Sequence, residues 1–252
     1  MKTFLIFLCT FSPLFVTAQQ VETPNVGKVV QEIDELYRSN SSYAKVEMEI
    51  VTPHWQRTLR MKVWTQGMKK TFIRIISPAK EKGVGTLRIG NEMWNYLPKT
   101  NKVIKIPPSM MMSSWMGSDF NNDDLVQEFT WLDDYNYSFV RPEDAKEDAI
   151  YIELTPKKDR PIVWGKVLLA ARQSDYIPLW EHYFDEKGKL MRIMNFKDIR
   201  TLDGRKLPTI LELIPQDEEG NKTVLKYLDA DFNADISATI FTLRNLRSPE
   251  VQ

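Results

Sequence analysis

Two histidines and an acidic run are the parts of this chain whose residue types could do chemistry. His54 and His182 could serve as general bases or zinc ligands. However, no His-Glu-x-x-His run accompanies them, and the single cysteine, Cys9, lies in the N-terminal apolar run. A Gly-x-Ser-x-Gly elbow, a phosphate-binding loop and a dinucleotide glycine fingerprint are all missing from the sequence. We therefore predict no catalytic residue, no metal site and no cofactor.

The acidic run invites a calcium site or a catalytic pair of carboxylates. Its members are Asp119, Asp123, Asp124, Glu128, Asp133 and Asp134. Asp119 and Asp123 would share one face of a helix, but the calcium-loop pattern of an EF-hand is absent. Acidic residues are also common at helix N-termini, where they offset the helix dipole. We interpret the run as a helix start.

A methionine-rich segment, PPSMMMSSWMGSDFNNDD at residues 107–124, is the most unusual stretch of the sequence. Met110, Met111, Met112 and Met116 surround Trp115 between two prolines and a glycine. The sequence predicts a short helical turn here, followed by a helix that begins near Asn121 or Asn122. Flexible, polarizable methionine suits a surface that accepts varied apolar partners. A static core is the alternative, and we favour a mobile lid.

The N-terminus has the pattern of a secretory signal peptide. Residues 1–18 combine Lys2, a short apolar run and a small-residue cleavage site after Ala18. Residues 19–252 then form one domain, without cysteine, which is compatible with the bacterial periplasm. The formal net charge of the chain is +0, or −1 once Lys2 is removed with the signal peptide. This balance gives no reason to expect a nucleic-acid partner. We expect a monomer in the periplasm.

The rest of the chain predicts a sheet with little helical cover. Apolar residues at steps of three and four predict a helix over residues 25–38. Alternating patterns separated by turn residues then predict eleven to thirteen strands joined as hairpins. Such a sheet must bury one face against a second sheet, in a closed barrel, or by curling around its helices. A curled sheet with a small helical plug would leave a hollow.

Several stretches of the chain resemble the bacterial outer-membrane lipoprotein-sorting proteins, which are relatives of the periplasmic lipoprotein carrier. They include PNVGKVVQEIDELY, the segment from KGVGTLRIG to NNDDL, YIPLWEHYFDEKGKLMRIMNF and FTLRNL. The resemblance implies an α+β fold that is mainly β, a curved incomplete antiparallel barrel with a helical lid over an apolar cavity. It also implies an arginine that holds the lid, for which Arg57, Arg60 and Arg74 are candidates.

The function implied is that of a non-enzymatic carrier. Its cavity would bind acyl chains of a lipoprotein or another lipid for transport to the outer membrane, in partnership with an inner-membrane exporter of the resistance-nodulation-division type. An accessory or sensor module that binds a protein segment is the alternative. The expected lipid-binding residues are Val26, Val29, Ile33, Leu36, Met61, Val63, Ile73, Ile75, Trp94, Met110, Met111, Met112, Trp115, Met116, Leu125 and Phe129.

Overall fold

The computed structural model describes residues 24–126, 130–160 and 162–248. Thirteen strands in these residues form one antiparallel sheet. The first six strands are β1 (Ser41–Val51), β2 (Gln56–Gln66), β3 (Lys70–Ser77), β4 (Gly85–Ile89), β5 (Glu92–Leu97) and β6 (Lys102–Ile106). The others are β7 (Tyr135–Val140), β8 (Ala149–Pro156), β9 (Lys166–Arg172), β10 (Pro178–Phe184), β11 (Leu190–Leu202), β12 (Arg205–Pro215) and β13 (Lys222–Asp231). The predicted signal peptide lies outside the described residues.

The strand order is β6-β5-β4-β3-β2-β1-β13-β12-β11-β10-β9-β8-β7, so the sheet consists of two meanders joined where β1 pairs with β13. Two-residue turns connect β4 to β5 and β11 to β12. Gly204, for example, has a φ of +75° between β11 and β12, a conformation that glycine adopts without steric cost. The strands β6 and β7 form the two ends of the order, and the sheet is not closed. The prediction of an incomplete, mainly β, antiparallel fold is confirmed.

One face of the sheet, the inner face, is apolar across most of its width. Val46 lies opposite Met61 on β2 and Tyr227 on β13, and Leu211 on β12 lies opposite Leu225 and Phe196. Residues directly opposite each other in antiparallel strands point to the same face. The alternating hydrophobic pattern of each strand therefore joins its neighbours into one continuous apolar surface.

The sheet is strongly curved. Arg88 on β4 and Met194 on β11 line the same cavity, although six strand spacings separate these strands. At about 4.8 Å per spacing a flat sheet would hold them about 29 Å apart. Bulges contribute to the bend, because the register shifts within β1·β13, β2·β3, β9·β10 and β10·β11.

An N-terminal helix covers one half of the inner face. Helix α1 (Val26–Asp34) begins at Asn25, whose side chain accepts a hydrogen bond from the Lys28 amide at 3.2 Å. Its buried residues Val29, Val30 and Ile33 pack on apolar side chains of β7, β8 and β9. The helix is shorter than the predicted 25–38, because the backbone bonds that follow span three residues instead of four, as from the Leu36 amide to the Ile33 carbonyl at 3.2 Å.

Residues 107–126, which we name the covering loop, lie over the other half of the inner face. The loop contains a 3₁₀ turn at Pro108–Met110 and the five-residue helix α2 (Asn122–Val126), and α3 (Trp131–Asp134) follows before β7. Helix α2 begins where predicted. The predicted helical turn around residues 111–116 is wrong, because Met116 and Gly117 have φ values of +53° and +73° and reverse the chain. An isolated bridge joins Ser114 to Asn121 across this reversal.

The outer face of β2 to β5 is covered by the C-terminal segment. Trp64, Phe72, Leu87 and Tyr96 form a buried cluster with residues of the segment 236–246, which includes helix α4 (Leu243–Arg247). Arg74 anchors this helix by donating to the carbonyls of residues 245 and 246 at 2.9 and 3.0 Å. Burial lowers the pKa of Arg74 to about 10. Within the described residues, no helix is long and apolar enough to cross a membrane.

Candidate functional site

An apolar pocket of about 280 Å³ lies between the inner face and the covering loop. Strands on both sides of the β1·β13 seam supply its floor, and the loop supplies its roof. The floor residues include Ala44, Val46, Met48, Met61, Val63, Ile73, Met194, Leu211, Leu225, Tyr227 and Ala230. Trp115, Phe120 and Leu125 form the roof. The arrangement can exclude water from an apolar guest, since its lining is mostly apolar.

Hydrogen bonds within the covering loop give it a compact structure of its own. The amide of Trp115 donates to the carbonyl of Phe120 at 2.8 Å, and the Ser118 hydroxyl donates back to the Trp115 carbonyl at 2.7 Å. Asn122 donates through its side chain to the carbonyls of Met110 and Ser113 at 3.0 and 3.1 Å. The loop therefore satisfies many backbone groups internally, as a small packed unit does.

Polar contacts to the sheet hold the covering loop in place. On β4, Thr86 accepts a hydrogen bond from the Trp115 indole at 3.1 Å. On β13, the Thr223 hydroxyl donates to the Asp119 carboxylate at 2.6 Å, and the Asp119 amide donates to that hydroxyl at 3.0 Å. Arg57 on β2 donates to the Met116 carbonyl. The loop is thus pinned to strands of both meanders.

The fourth contact is an ion pair at the end of the loop. Arg192 on β11 donates through both terminal nitrogens to Asp124, at 2.8 and 2.9 Å. The guanidinium lies between the rings of Trp164 and Tyr183, at 4.5 and 4.4 Å from their centroids. Burial alone lowers the pKa of Arg192, but the Asp124 carboxylate outweighs it and holds that pKa above its ordinary value.

A second pocket of about 230 Å³, which we name the polar pocket, adjoins the apolar pocket under α1. The two pockets share the lining residues Tyr37, Arg38, Asp124, Met194 and Leu211. The polar pocket is also lined by Ile33, Asp34, Asp123, Trp131, Tyr135, Ile162, Val163, Trp164, Pro178, Glu181, Tyr183, Arg192 and Phe196. Its lining therefore combines aromatic walls with buried charges.

Glu181 is the most strongly perturbed acid of the polar pocket. Its carboxylate accepts a hydrogen bond from the Tyr183 hydroxyl, and only 5% of the residue is exposed. Burial raises the pKa of Glu181 to about 7, against the opposing effects of the Tyr183 hydrogen bond and the charge of Arg192. Nearby, Asp34 pairs with Arg38 at 2.9 Å, and burial raises the pKa of Asp34 as well.

Five of the expected lipid-binding residues line the apolar pocket. They are Met61, Val63, Ile73, Trp115 and Leu125. Three others, Ile75, Met111 and Met116, pack in the hydrophobic core around the pocket. The strands and the covering loop thus bring these eight residues together.

The remaining expected residues lie elsewhere. Val26, Val29 and Ile33 belong to the cluster under α1, where Ile33 reaches the polar pocket, and Leu36 is half-buried after the helix. Trp94 lies on the outer face, because its neighbour Met93 points inward. The side chains of Met110 and Met112 are exposed, with relative exposures of 47% and 46%. Phe129 lies outside the described residues.

Sequence reasoning missed the polar pocket. Glu181 and Arg192 were not singled out, because a charged residue in a strand is usually assigned to the exposed face. In WEHYF the two neighbours of Glu181 are Trp180 and His182, so no apolar alternation marks which face is buried. Tyr37 falls within the predicted helix of residues 25–38. Its hydroxyl instead donates to the Pro208 carbonyl at 2.7 Å, and its ring stacks on Tyr227.

The two histidines and the acidic run occupy separate surroundings in the described part of the chain. His54 is exposed in the loop after β1, and His182 stacks on Trp180 at a ring distance of 3.9 Å. No group of three or more His, Cys, Asp or Glu residues suited to a metal ion occurs among the described residues. Asp119 and Asp124 bond to the sheet instead, and Glu128 lies outside the described residues.

Three solved structures of bacterial proteins have a similar fold. A DUF1329 family protein from Desulfovibrio piger is 23% identical, with a TM-score of 0.78 over 87% of this chain and 97% of its own. A putative outer membrane lipoprotein-sorting protein domain from Vibrio parahaemolyticus is 20% identical, with a TM-score of 0.75 over 88% and 98%. A LolA superfamily protein from Nitrosomonas europaea is 24% identical, with a TM-score of 0.73 over 88% and 99%.

These likenesses define the class: the fold is that of the lipoprotein-sorting proteins, as the sequence resemblance predicted. Residues 67–248, well over half of the chain, match a family model described as "Uncharacterized protein"-like, and the chain belongs to that family. A comparison with curated proteins gives no match.

Proposed function

We propose that the protein is a non-enzymatic carrier whose apolar pocket binds acyl chains of a lipoprotein or another lipid. The observation that carries this proposal is the pocket itself, roofed by Trp115 and Leu125 and floored by aliphatic side chains from both meanders. Each methylene removed from water contributes about 0.8 kcal/mol. An acyl chain therefore binds by burial alone, and no reactive group is needed.

The covering loop serves as the lid of this carrier. The closed pocket, about 280 Å³, lies just below the roughly 300–1,000 Å³ typical of small-molecule sites, so a long chain requires the roof to move. Release of the contacts through Arg57, Thr223 and Arg192 would free the loop from the sheet. Among the arginine candidates, Arg57 is the one that bonds to the loop, so we assign it the latch.

We also propose the path along which the carrier moves its lipid. The carrier works in the periplasm after removal of residues 1–18 and delivers lipid to the outer membrane. Its supplier is an inner-membrane exporter of the resistance-nodulation-division type, and it acts as a monomer. The fold shared with lipoprotein-sorting proteins supports this placement.

Native mass spectrometry of the purified protein tests the carrier function. We expect a lipid-sized mass on the parent chain and its loss in Ala230→Phe, because Ala230 is half-buried in the pocket lining and a phenyl group fills the space. Leu228→Phe on the same strand is the matched control, since Leu228 is 53% exposed and lies outside the lining. A parent that retains a peptide instead would favour the accessory module, and a parent that retains nothing and takes up no apolar probe contradicts the proposal.

A further inference from the structure

Glu181 interrupts an apolar row of the inner face. It lies opposite Met194 on β11 and opposite Leu169 on β9, and both of these residues are buried. Opposed residues in an antiparallel pair share one face, so the carboxylate points to the same side as the pocket lining. A buried ionisable group among apolar neighbours costs folding free energy. We therefore expect Glu181 to have a role in the pocket wall that offsets this cost.

The hydrogen bonding of Glu181 is incomplete. The Tyr183 hydroxyl bonds to Oε2, and this is the one hydrogen bond that Glu181 receives from a side chain within the described residues. Arg192 is the nearby cation, but both of its terminal nitrogens are committed to Asp124. Buried polar groups in folded proteins almost always have partners, so a carboxylate with one such bond in a cavity wall can accept another from a donor in the cavity.

The charges around the polar pocket determine whether an anionic, neutral or cationic head group can bind there. The lining holds four carboxyl groups, Asp34, Asp123, Asp124 and Glu181, against the guanidinium groups of Arg38 and Arg192. Two carboxylates are already paired with the two arginines. An anionic head group would meet an excess of negative charge, whereas a hydroxyl or ammonium group would meet an acceptor.

The two pockets are placed to hold one molecule. They share five lining residues, among them Tyr37 and Leu211, so an apolar chain under the covering loop can continue toward Glu181 without leaving the inner face. Trp131 and Tyr135 add aromatic walls on which the apolar side of a head group can pack.

We propose that the polar pocket is the head-group subsite of the carrier, and that Glu181 accepts a hydrogen bond from a hydroxyl or ammonium group of the bound amphiphile. This rests on the proposed carrier function and narrows its cargo to lipids with a donor close to the acyl chain. Phosphate-headed lipids without such a donor are excluded by the excess of carboxylates.

The test is displacement of N-phenyl-1-naphthylamine, an apolar fluorescent probe, by ligands with one common acyl chain length. The series is a monoacylglycerol, an alkylamine, a fatty acid methyl ester and a monoalkyl phosphate. At pH 8, where Glu181 is ionised, we expect the first two to compete roughly tenfold better than the ester, the usual effect of one hydrogen bond to a charged group. If only the monoacylglycerol competes better than the ester, the head group donates through a hydroxyl. If only the alkylamine does, the head group donates through an ammonium group.

Variants of Glu181 separate the head-group contact from general binding. In Glu181→Leu the advantage of both donors over the ester should vanish while the ester still competes. In Glu181→Gln the amide oxygen still accepts, so the alcohol should keep its advantage and the amine should lose it. Glu153→Gln is the control, because Glu153 pairs with Lys166 and lies outside both pockets.

The outcomes distinguish the two proposals. If the parent binds neither the probe nor any ligand of the series, the carrier function fails. If the parent binds the probe but the ester competes as well as the donors, or the monoalkyl phosphate competes best, the carrier stands and the head-group subsite is overturned. The series on the parent chain gives this decision even if a Glu181 variant does not fold.

Discussion

The buried carboxyl of Glu181 makes the stability of this protein depend on pH. Its pKa is raised by burial from 4.5 to about 7. The folded chain therefore holds this proton more tightly than the unfolded chain, and stability falls as the pH rises from about 4.5 to about 7. The loss is complete above that range and amounts to on the order of 3 kcal/mol. Charged groups of other elements face it: Asp34 from α1, Asp124 from α2 and Arg192 from β11.

Glu181→Gln should remove this dependence. The neutral amide cannot ionise, so we expect the variant to unfold at a higher temperature than the parent at pH 8 and at about the same temperature at pH 4.5. Thermal unfolding followed by circular dichroism at both pH values measures the difference. Glu153→Gln should change little at either pH, since Glu153 is partly exposed. An equal effect of Glu181→Gln at both pH values would contradict the burial of an ionised carboxylate.

The two histidines should be dispensable for binding. His54 is exposed, and His182 packs on Trp180 with its side chain on the face opposite to Glu181. We therefore expect His54→Gln and His182→Gln to take up the apolar probe with the affinity of the parent, with at most about 1 kcal/mol lost in the second for the ring stack. Fluorescence titration measures the affinity. A folded variant that loses binding would reopen the enzyme and metal hypotheses.

At the scale of elements, the covering loop is where the sequence was least informative. Its methionines suggested one apolar surface, but only Met111 and Met116 pack toward the core, while Met110 and Met112 face solvent. The buried anchor is Trp115, with 1% exposure. The meander, in contrast, was predictable, because period-two alternation and glycine turns are local signals. The loop's path depends on distant partners such as Thr223, which no local pattern encodes.

Loosening one contact of the loop should favour opening without unfolding the sheet. Thr223→Val keeps the side-chain shape and removes both hydrogen bonds to Asp119. We expect faster uptake of the apolar probe in stopped-flow fluorescence and a stability loss of about 1–2 kcal/mol, as for an unpaired buried polar group. Thr155→Val, at an exposed position of β8, is the matched control. Unchanged uptake in a folded Thr223→Val would mean that the loop does not gate the pocket.

A charge introduced on the inward face of the covering loop should have a larger effect than one introduced on its exposed face. Met112→Asp should leave both stability and probe uptake nearly unchanged, because Met112 is 46% exposed. Met111→Asp should weaken uptake, because Met111 packs on the core around the pocket and a charge there favours the open loop in water. Probe titration and thermal unfolding of the pair give the comparison. Equal uptake by both variants would show that the inward face of the loop does not contribute to binding.

At the scale of the whole molecule, the last strand of the sequence completes the middle of the sheet. Strand β13 is seventh of thirteen in the spatial order, and its pairing with β1 joins the two meanders. The apolar pocket straddles this seam, since Val46 and Met61 line it from one side and Leu211 and Leu225 from the other. The sequence predicted hairpins in series, although not the strand β7, and pairing of the first strand with the last is a long-range contact without a local signal.

A proline in the central strand should therefore abolish the pocket and not only weaken one strand. Val224 lies opposite Glu49 on β1 and Glu212 on β12, and proline there removes a backbone donor and fits poorly between two neighbouring strands. We expect Val224→Pro to lose probe binding and cooperative unfolding together, because the two halves of the pocket no longer share one sheet. Asp217→Pro, in the exposed bend between β12 and β13, is the control and should retain both. A folded Val224→Pro variant that binds the probe with parental affinity would show that one meander alone forms the pocket. The apolar residues that the other meander supplies to the lining would then not contribute to binding.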